Sequence, residues 1–376
     1  MQRFVKNTLT SIWLLILGLL KPKSRAEDTH VVIFKPDGIG DFILATGAIR
    51  WVVQHEQRPV VLLTSSDAFD LARTQFPDLL VHSLPGSVRR KSFDSLAYLT
   101  KAWQLASRYG GSELVCLRHS LNQNDHIVLR WLQPKRSFGA VNSPIAPALP
   151  AGAPTFTFSN PVQYPPARDN LPAEVCAHHD ILRACYKHGE KAESGSMFPS
   201  LRFDRRHPTR RLTIFPSTNL HLRNFPLERL ASVVNSLDRS LYADIAVCGS
   251  AYDYEHMQPF LALLDADTDA RLIQTKSILE VIPLIESSAA VLTMDSAPAH
   301  IAICCGTPSV SILAGGQYGY FAPYGDPDTN VWLSHRTECY GCNWKCPHPE
   351  PYCITRIEDR CIRESLTRLL SKAASN

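Results

Sequence analysis

The chain has 376 residues, 45% hydrophobic and 20% charged, a balance that excludes a disordered or collagen-like chain and a multi-span membrane protein. Its 39 Lys and Arg against 35 Asp and Glu leave a net charge of +4, too small and too scattered to make nucleic acid a partner. Eleven cysteines over this length do not make a small disulfide scaffold, and the length suits two domains of about 100–200 residues.

The N-terminus departs most from the average. Ile12 to Leu20 is an uninterrupted apolar run, with Arg3 and Lys6 before it and Lys21, Lys23 and Arg25 after it. As a helix this run rises about 14 Å, against about 30 Å for a hydrocarbon core, so it is too short to span. Phe4, Val5, Leu9, Ile12, Ile16 and Leu19 recur at helical spacing. Residues 1–29 therefore read as a basic amphipathic helix lying in a membrane interface. The rival is a signal peptide cleaved near Ser24-Arg25-Ala26, which the basic cluster directly after the apolar run disfavours.

From His30 onward, short apolar runs alternate with helical stretches. Strands are predicted at Val31–Phe34, Val60–Thr64, Leu79–Ser83 and Leu114–Leu117, with helices at Phe42–Val53, Ala68–Gln75 and Leu96–Arg108. Asn142 to Pro172 carries eight prolines and is expected to be an irregular connection rather than sheet. A helix about Ala173–Lys187 and a polar stretch, Gly189–Ser196, precede a domain boundary near 200. The alternation then repeats, with strands at Leu212–Phe215, Asp244–Cys248, Ala290–Thr293 and Ser309–Leu313. The helices there fall at Pro226–Leu237, Tyr254–Leu264, Ile278–Ser287 and Ala297–Cys304. This pattern predicts an α/β chain with two Rossmann-like, doubly wound domains, 30–200 and 201–335, facing a central cleft. Residues 336–376 form a cysteine-rich segment and a C-terminal helix.

In such sheets ligands bind at the turns after strands. Lys35-Pro36-Asp37-Gly38-Ile39-Gly40-Asp41 lacks a dinucleotide fingerprint, but its glycines admit a close backbone approach and Asp41 opens a helix. Asp41 equally suits a helix-dipole role, and Asp37 an ordinary turn. Ser217, Thr218 and Arg223, before the helix opened by Pro226, make a candidate anion cradle. Asp253 and Glu255 follow a strand where acids accept ribose hydroxyls. Asp295, Ser296 and His300 lie between a strand and a helix, where caps and a structural histidine are the plain alternative.

The ordered segments "FKPDGIGDFILATGAIR", "IFPSTNLHLRNFPLERL", "VCGSAYDYE", "SILEVIPLIESSAAVLTMDSAPAHIA" and "GTPSVSILAG" resemble glycosyltransferase family 9, the bacterial heptosyltransferases of the lipopolysaccharide inner core and their relatives. The resemblance covers about residues 31–325, and the D-S-x-P-x-H segment is its most specific part. It implies a GT-B fold and an inverting, metal-independent transfer from a nucleotide-diphosphate sugar, typically ADP-heptose, to a glycolipid or glycan acceptor. That activity belongs at the cytoplasmic face of the inner membrane. It implies Asp41 as general base, Ser217, Thr218 and Arg223 as phosphate ligands, and Asp253 or Glu255 near the ribose. Asp295, Ser296 and His300 are implied on the sugar side, with no cofactor for catalysis. Arg223 stands where the family has Lys, Phe225 where it has Trp, and Ala297 where many members have Gly. A GT-B epimerase and a non-catalytic sugar-binding protein are the competing functions.

Cys116, Cys176, Cys185, Cys248, Cys304 and Cys305 lie in apolar stretches and read as small buried hydrophobes. Cys339, Cys342, Cys346 and Cys353 cluster at metal-ligand spacing, which makes them candidates for structural zinc, iron or an iron–sulfur cluster, with disulfides as the alternative.

Overall fold

The computed structural model describes residues 30–85, 95–149, 152–186, 197–204 and 208–374. The expected interfacial helix, 1–29, lies outside the described residues, as does the whole polar stretch 189–196. Among the described residues, no helix is long and apolar enough to cross a membrane.

The chain divides into two units. One comprises the chain up to Pro165 together with Ala177–Phe198, and the other Pro166–Cys176 together with Pro199–Asn376. The first unit is built on β1 (Val31–Lys35), β2 (Val60–Ser65), β3 (Leu80–Leu84), β4 (Glu113–Cys116), β5 (Ser137–Val141) and β6 (Asn160–Gln163). They pair in the order β3-β2-β1-β4-β5-β6, every pair parallel. Helices α1 (Ile39–His55), α2 (Phe69–Gln75), α3 (Ser95–Tyr109) and α4 (Gln123–Leu132) connect them. The central strand VVIFK is buried at every position, Lys35 included, as expected of a parallel strand covered on both faces.

The Pro-rich segment was expected to be irregular, yet Asn160–Gln163 adds a sixth strand at the sheet edge. Pro161 is tolerated there because an edge strand need not donate along its free side. Strand β5 and helix α4 carry no strong sequence signal. The helix is defined instead by a capping box in which Asn122 accepts from Asn124 and Asp125 amides.

The second unit repeats the plan with β7 (Arg211–Phe215), β8 (Asp244–Ser250), β9 (Ala270–Thr275), β10 (Ala290–Met294), β11 (Ser309–Ile312) and β12 (Asn330–Leu333). Their order, β12-β11-β10-β7-β8-β9, is the same all-parallel winding read from the other edge. Edge strands β9 and β12 are only half-buried and read poorly from the sequence. The helix α5 (Ala173–Cys185) begins in this unit, where Ala173 and Glu174 amides donate to the Gly319 and Tyr320 carbonyls, each at 2.9 Å. Helices α6 (Leu227–Asn235), α7 (Tyr254–Ala262), α8 (Ile278–Glu286) and α9 (Ala297–Cys305) follow their strands.

The tail is integral to this unit. The short α10 (Tyr352–Thr355) leads into α11 (Asp359–Ala374). Helix α11 buries Ile362, Leu366, Leu369 and Leu370, an i, i+4, i+7, i+8 stripe, in the same core as Leu212, Ile214, Leu292 and Val310. Arg229 fastens the helix start, its Nε donating to Asp359 Oδ1 at 2.9 Å and its Nη2 to the Ile357 carbonyl at 2.6 Å.

Candidate active site

In each sheet the winding reverses between two neighbouring strands, β1 and β4 in the first unit, β7 and β10 in the second. Crevices beyond the carboxyl ends at such reversals are where α/β sheets take ligands. The sequence-predicted residues fall in these turns.

In the first unit, Asp41 is the third residue of α1, in its first turn and half-buried. Gly38, just before the helix, has no side chain, and a Cβ there would lie 3.5 Å from Asp41 Oδ2. Asp37 is not an ordinary turn residue. It is 3% exposed and ion-paired at 3.1 Å to Lys35 Nζ, itself fully buried. Arg118, just past β4, brings Nε to 3.0 Å from Asp37 Oδ1 and Nη1 to 2.6 Å from Asp125 Oδ2. Burial raises the Asp125 carboxyl to about 6 against the pull of Arg118, and Tyr98 OH lies 3.5 Å from its other oxygen. This buried network was not legible as a unit, because its members come from β1, α3, the β4 turn and α4.

In the second unit, Ser217 and Thr218 are buried beyond β7. The Thr218 hydroxyl is taken up locally, accepting from the Leu220 amide and donating to its carbonyl, both at 3.1 Å. Asn224 closes the loop by accepting from the Thr218 amide at 2.7 Å. Ser217 Oγ and Arg223 Nε, by contrast, are buried without hydrogen-bond partners. An unmade hydrogen bond on a buried group costs about 1–3 kcal/mol, so two in one turn make this turn a candidate anion site.

Arg223 reaches β10. Its Nη1 donates to the Asp295 carbonyl at 3.2 Å and lies 4.0 Å from Asp295 Oδ2. Burial pushes the Asp295 carboxyl above the usual carboxylate range, with Arg223 opposing. Ser296 does not cap α9; its hydroxyl donates to the Met294 carbonyl at 3.3 Å, Pro298 has no amide N–H, and the Ala299 amide donates to the Ser296 carbonyl at 3.0 Å. His300 Nδ1 lies 2.9 Å from Tyr324 OH, its ring stacked on the tyrosine. Burial, helped by the Arg223 charge, lowers its pKa to about 4, so the ring is neutral at physiological pH.

The two candidate ribose acids differ. Asp253 is committed to its own turn, accepting from the Ser250 amide at 2.8 Å and hydroxyl at 2.6 Å. Glu255 is exposed in the first turn of α7. Thus Ser217, Arg223, Asp295 and Ser296 come together at the β7–β10 reversal. Asp253 and Glu255 stand at the neighbouring β8 end, where the His221 and His256 rings approach to 6.2 Å.

All eleven cysteines are free thiols. Cys116, Cys176, Cys185 and Cys248 are buried as expected, while Cys304 and Cys305 are half-buried. Cys339, Cys342, Cys346 and Cys353 line one cavity, together with Leu222 from the β7 turn. Among the described residues, no three His, Cys, Asp or Glu side chains are arranged to hold a metal ion. Sequence reasoning missed Trp344, whose ring carries the Arg223 guanidinium at 4.3 Å.

Residues 186–348 match the model of glycosyltransferase family 9 (heptosyltransferase). No curated protein matches the chain. Among solved structures, a family 9 glycosyltransferase from Veillonella parvula matches with a TM-score of 0.67 at 11% identity, over 93% of this chain and 99% of that one. The E. coli ADP-heptose lipopolysaccharide heptosyltransferase II matches at 0.60 and 15%, over 92% and 99%. TibC of enterotoxigenic E. coli, an iron-containing dodecameric glycosyltransferase, matches at 0.53 and 14%, over 94% and 78%. At these identities the structures establish the fold, which is GT-B.

Proposed function

We propose that this chain, whose residues 186–348 match the family 9 (heptosyltransferase) model, is a heptosyltransferase-like glycosyltransferase that moves a heptose or similar sugar from a nucleotide-diphosphate donor, foremost ADP-heptose, to a lipopolysaccharide-core or related cell-surface glycan. The observation that carries this reading is the pair of buried, unpartnered groups, Ser217 Oγ and Arg223 Nε, at the second reversal. A diphosphate supplies the acceptors they lack and the charge that Arg223 neutralises. The structurally similar E. coli heptosyltransferase WaaC is seen with ADP and with ADP-2-deoxy-2-fluoro heptose, which supports adenine as the base.

Transfer is a single inverting displacement. The acceptor oxygen attacks the anomeric carbon while the bond to the diphosphate breaks. Asp41 takes the hydroxyl proton, and the nucleoside diphosphate leaves with the bonding electrons. Charge builds on the leaving group, where Arg223 and Ser217 are already fixed, so little reorganisation is needed at the moment of reaction. Asp295, Ser296 and the neutral His300 serve the sugar side, Thr218 holds the phosphate loop in shape, and Glu255 is the ribose acid, since Asp253 is spent on its turn. Cys339, Cys342, Cys346 and Cys353 share one cavity and would be the ligands of a structural metal ion, as expected from their spacing, but their side chains as placed are not arranged to hold one. Residues 1–29 hold the enzyme to the cytoplasmic face of the inner membrane.

Incubating the purified chain with ADP-heptose and a deacylated lipopolysaccharide-core acceptor, with mass detection of both products, tests the assignment. Asp41→Asn is expected to lower transfer by about 10²-fold or more while keeping donor affinity. Near wild-type turnover in that variant removes Asp41 from the mechanism. Release of an altered nucleotide sugar without any acceptor favours the epimerase.

A further inference from the structure

We infer that Trp344 is a positioning residue for the donor diphosphate: the cysteine turn holds its indole under Arg223 and so aims the guanidinium at the phosphates. This rests on the reading of Arg223 as a phosphate ligand. The guanidinium carbon sits 4.3 Å from the indole centroid, a cation–π distance. A cation held over a ring face makes no hydrogen bond to it, so the contact leaves the guanidinium N–H groups, among them the unpartnered Nε, for phosphate oxygens. A free arginine side chain loses rotamer entropy when a ligand fixes it; a fixed platform removes much of that cost before the ligand arrives.

The platform is built deliberately. Asn343 and Trp344 have φ of +47° and +65°, a left-handed conformation that is strained for a bulky residue and persists only when its surroundings impose it. The surroundings are the turn after β11. Gly341 and Asn343 amides donate to the Gly315 and Gly316 carbonyls, each at 2.9 Å, and Gln317 Nε2 donates to Asn343 Oδ1 at 2.8 Å. A Cβ on Gly316 would fall 2.6 Å from the indole, and one on Gly315 2.6 Å from the Tyr340 ring. Only glycine lets the tail seat so closely. Leu222, the residue before Arg223, lines the cavity of the four thiols. The cysteine turn therefore meets the phosphate turn at two adjacent residues, and it acts on donor affinity rather than on the chemical step.

The test is calorimetric titration of the full chain with ADP, GDP, UDP and CDP, taking the tightest as probe. Trp344→Leu keeps apolar packing without the π face and is expected to raise Kd about 3- to 30-fold. Trp344→Phe is expected to stay within about 3-fold of wild type. Combining Trp344→Leu with Arg223→Ala is expected to be no weaker than Arg223→Ala alone, because the platform acts only through the arginine. In transfer assays Trp344→Leu raises the donor KM and leaves kcat unchanged. An unchanged Kd in Trp344→Leu beside a weakened Arg223→Ala overturns the positioning role, as does strict additivity of the two losses. No binding by the wild-type chain, or full binding by Arg223→Ala, overturns the phosphate reading of Arg223 instead.

Discussion

Both units place an arginine beyond the reversal of an identically wound sheet, and the two arginines live in opposite surroundings. Arg118 is enclosed by the carboxylates of Asp37 and Asp125, with Lys35 balancing Asp37, so the charges of the first reversal are satisfied within the protein. Arg223 has one carbonyl, a carboxylate at 4.0 Å whose ionisation burial opposes, and an indole face. Neither arginine Nε makes a hydrogen bond, but that of Arg118 has the Asp37 carboxylate at 3.0 Å, whereas that of Arg223 has no carboxylate beside it. A neutralised buried cluster is costly to break at any one member, whereas a cation left short of acceptors is available to an anion. One architecture thus yields a structural charge network in one unit and a candidate diphosphate site in the other.

The comparison breaks most readily at Arg118. Arg118→Met leaves two buried carboxylates without their cation and is expected to cost about 3–5 kcal/mol in urea unfolding; a loss under about 1 kcal/mol would mean the network is not structural. Next comes the acid limb of the second unit. The unfolded His300 ring binds a proton below its ordinary 6.5, the folded ring only near 4. Its contribution is therefore complete above pH 6.5 and lost as pH falls toward 4, by up to about 3 kcal/mol. His300→Gln should flatten stability against pH across that window, and an unaltered slope would place the acid sensitivity elsewhere.

Smaller still is Gly316→Ala, where the added methyl meets the Trp344 ring; about 1–3 kcal/mol is expected from overpacking, together with weaker nucleotide binding. Unchanged binding would sharpen the comparison by showing that the second arginine holds its place unaided. The smallest stability effect belongs to Arg223→Ala. A site kept for a ligand should lose less than about 1 kcal/mol of folding stability, and a loss as large as that at Arg118 would erase the distinction between the two units.

Much of the fold was legible. Val31–Phe34, Val60–Thr64, Leu212–Phe215 and Ala290–Thr293 are apolar runs flanked by helical periodicity, and the central strands of both sheets lie on them. Strands β6, β9 and β12 were harder because edge strands are half-exposed and need no apolar run; Asn160–Gln163 even carries a proline. In the site, the turn holding Ser217, Thr218 and Arg223 was visible as small hydroxyls, a cation and a helix-opening proline. The partnership of His300 with Tyr324 and the engagement of Asp37 were not, since each depends on a residue from another element.

Local order of apolar, glycine and proline residues was enough to set two wound sheets and to bring the chemistry-bearing turns to their strand ends, because strand and helix periods and turn conformations are decided by near neighbours. Which charges are cancelled, which hydroxyl stays unpartnered and which ring lies beneath Arg223 were settled only by packing. Burial removes water from groups distant in the chain, and only then does a missing partner, or a stacked indole, carry an energetic consequence.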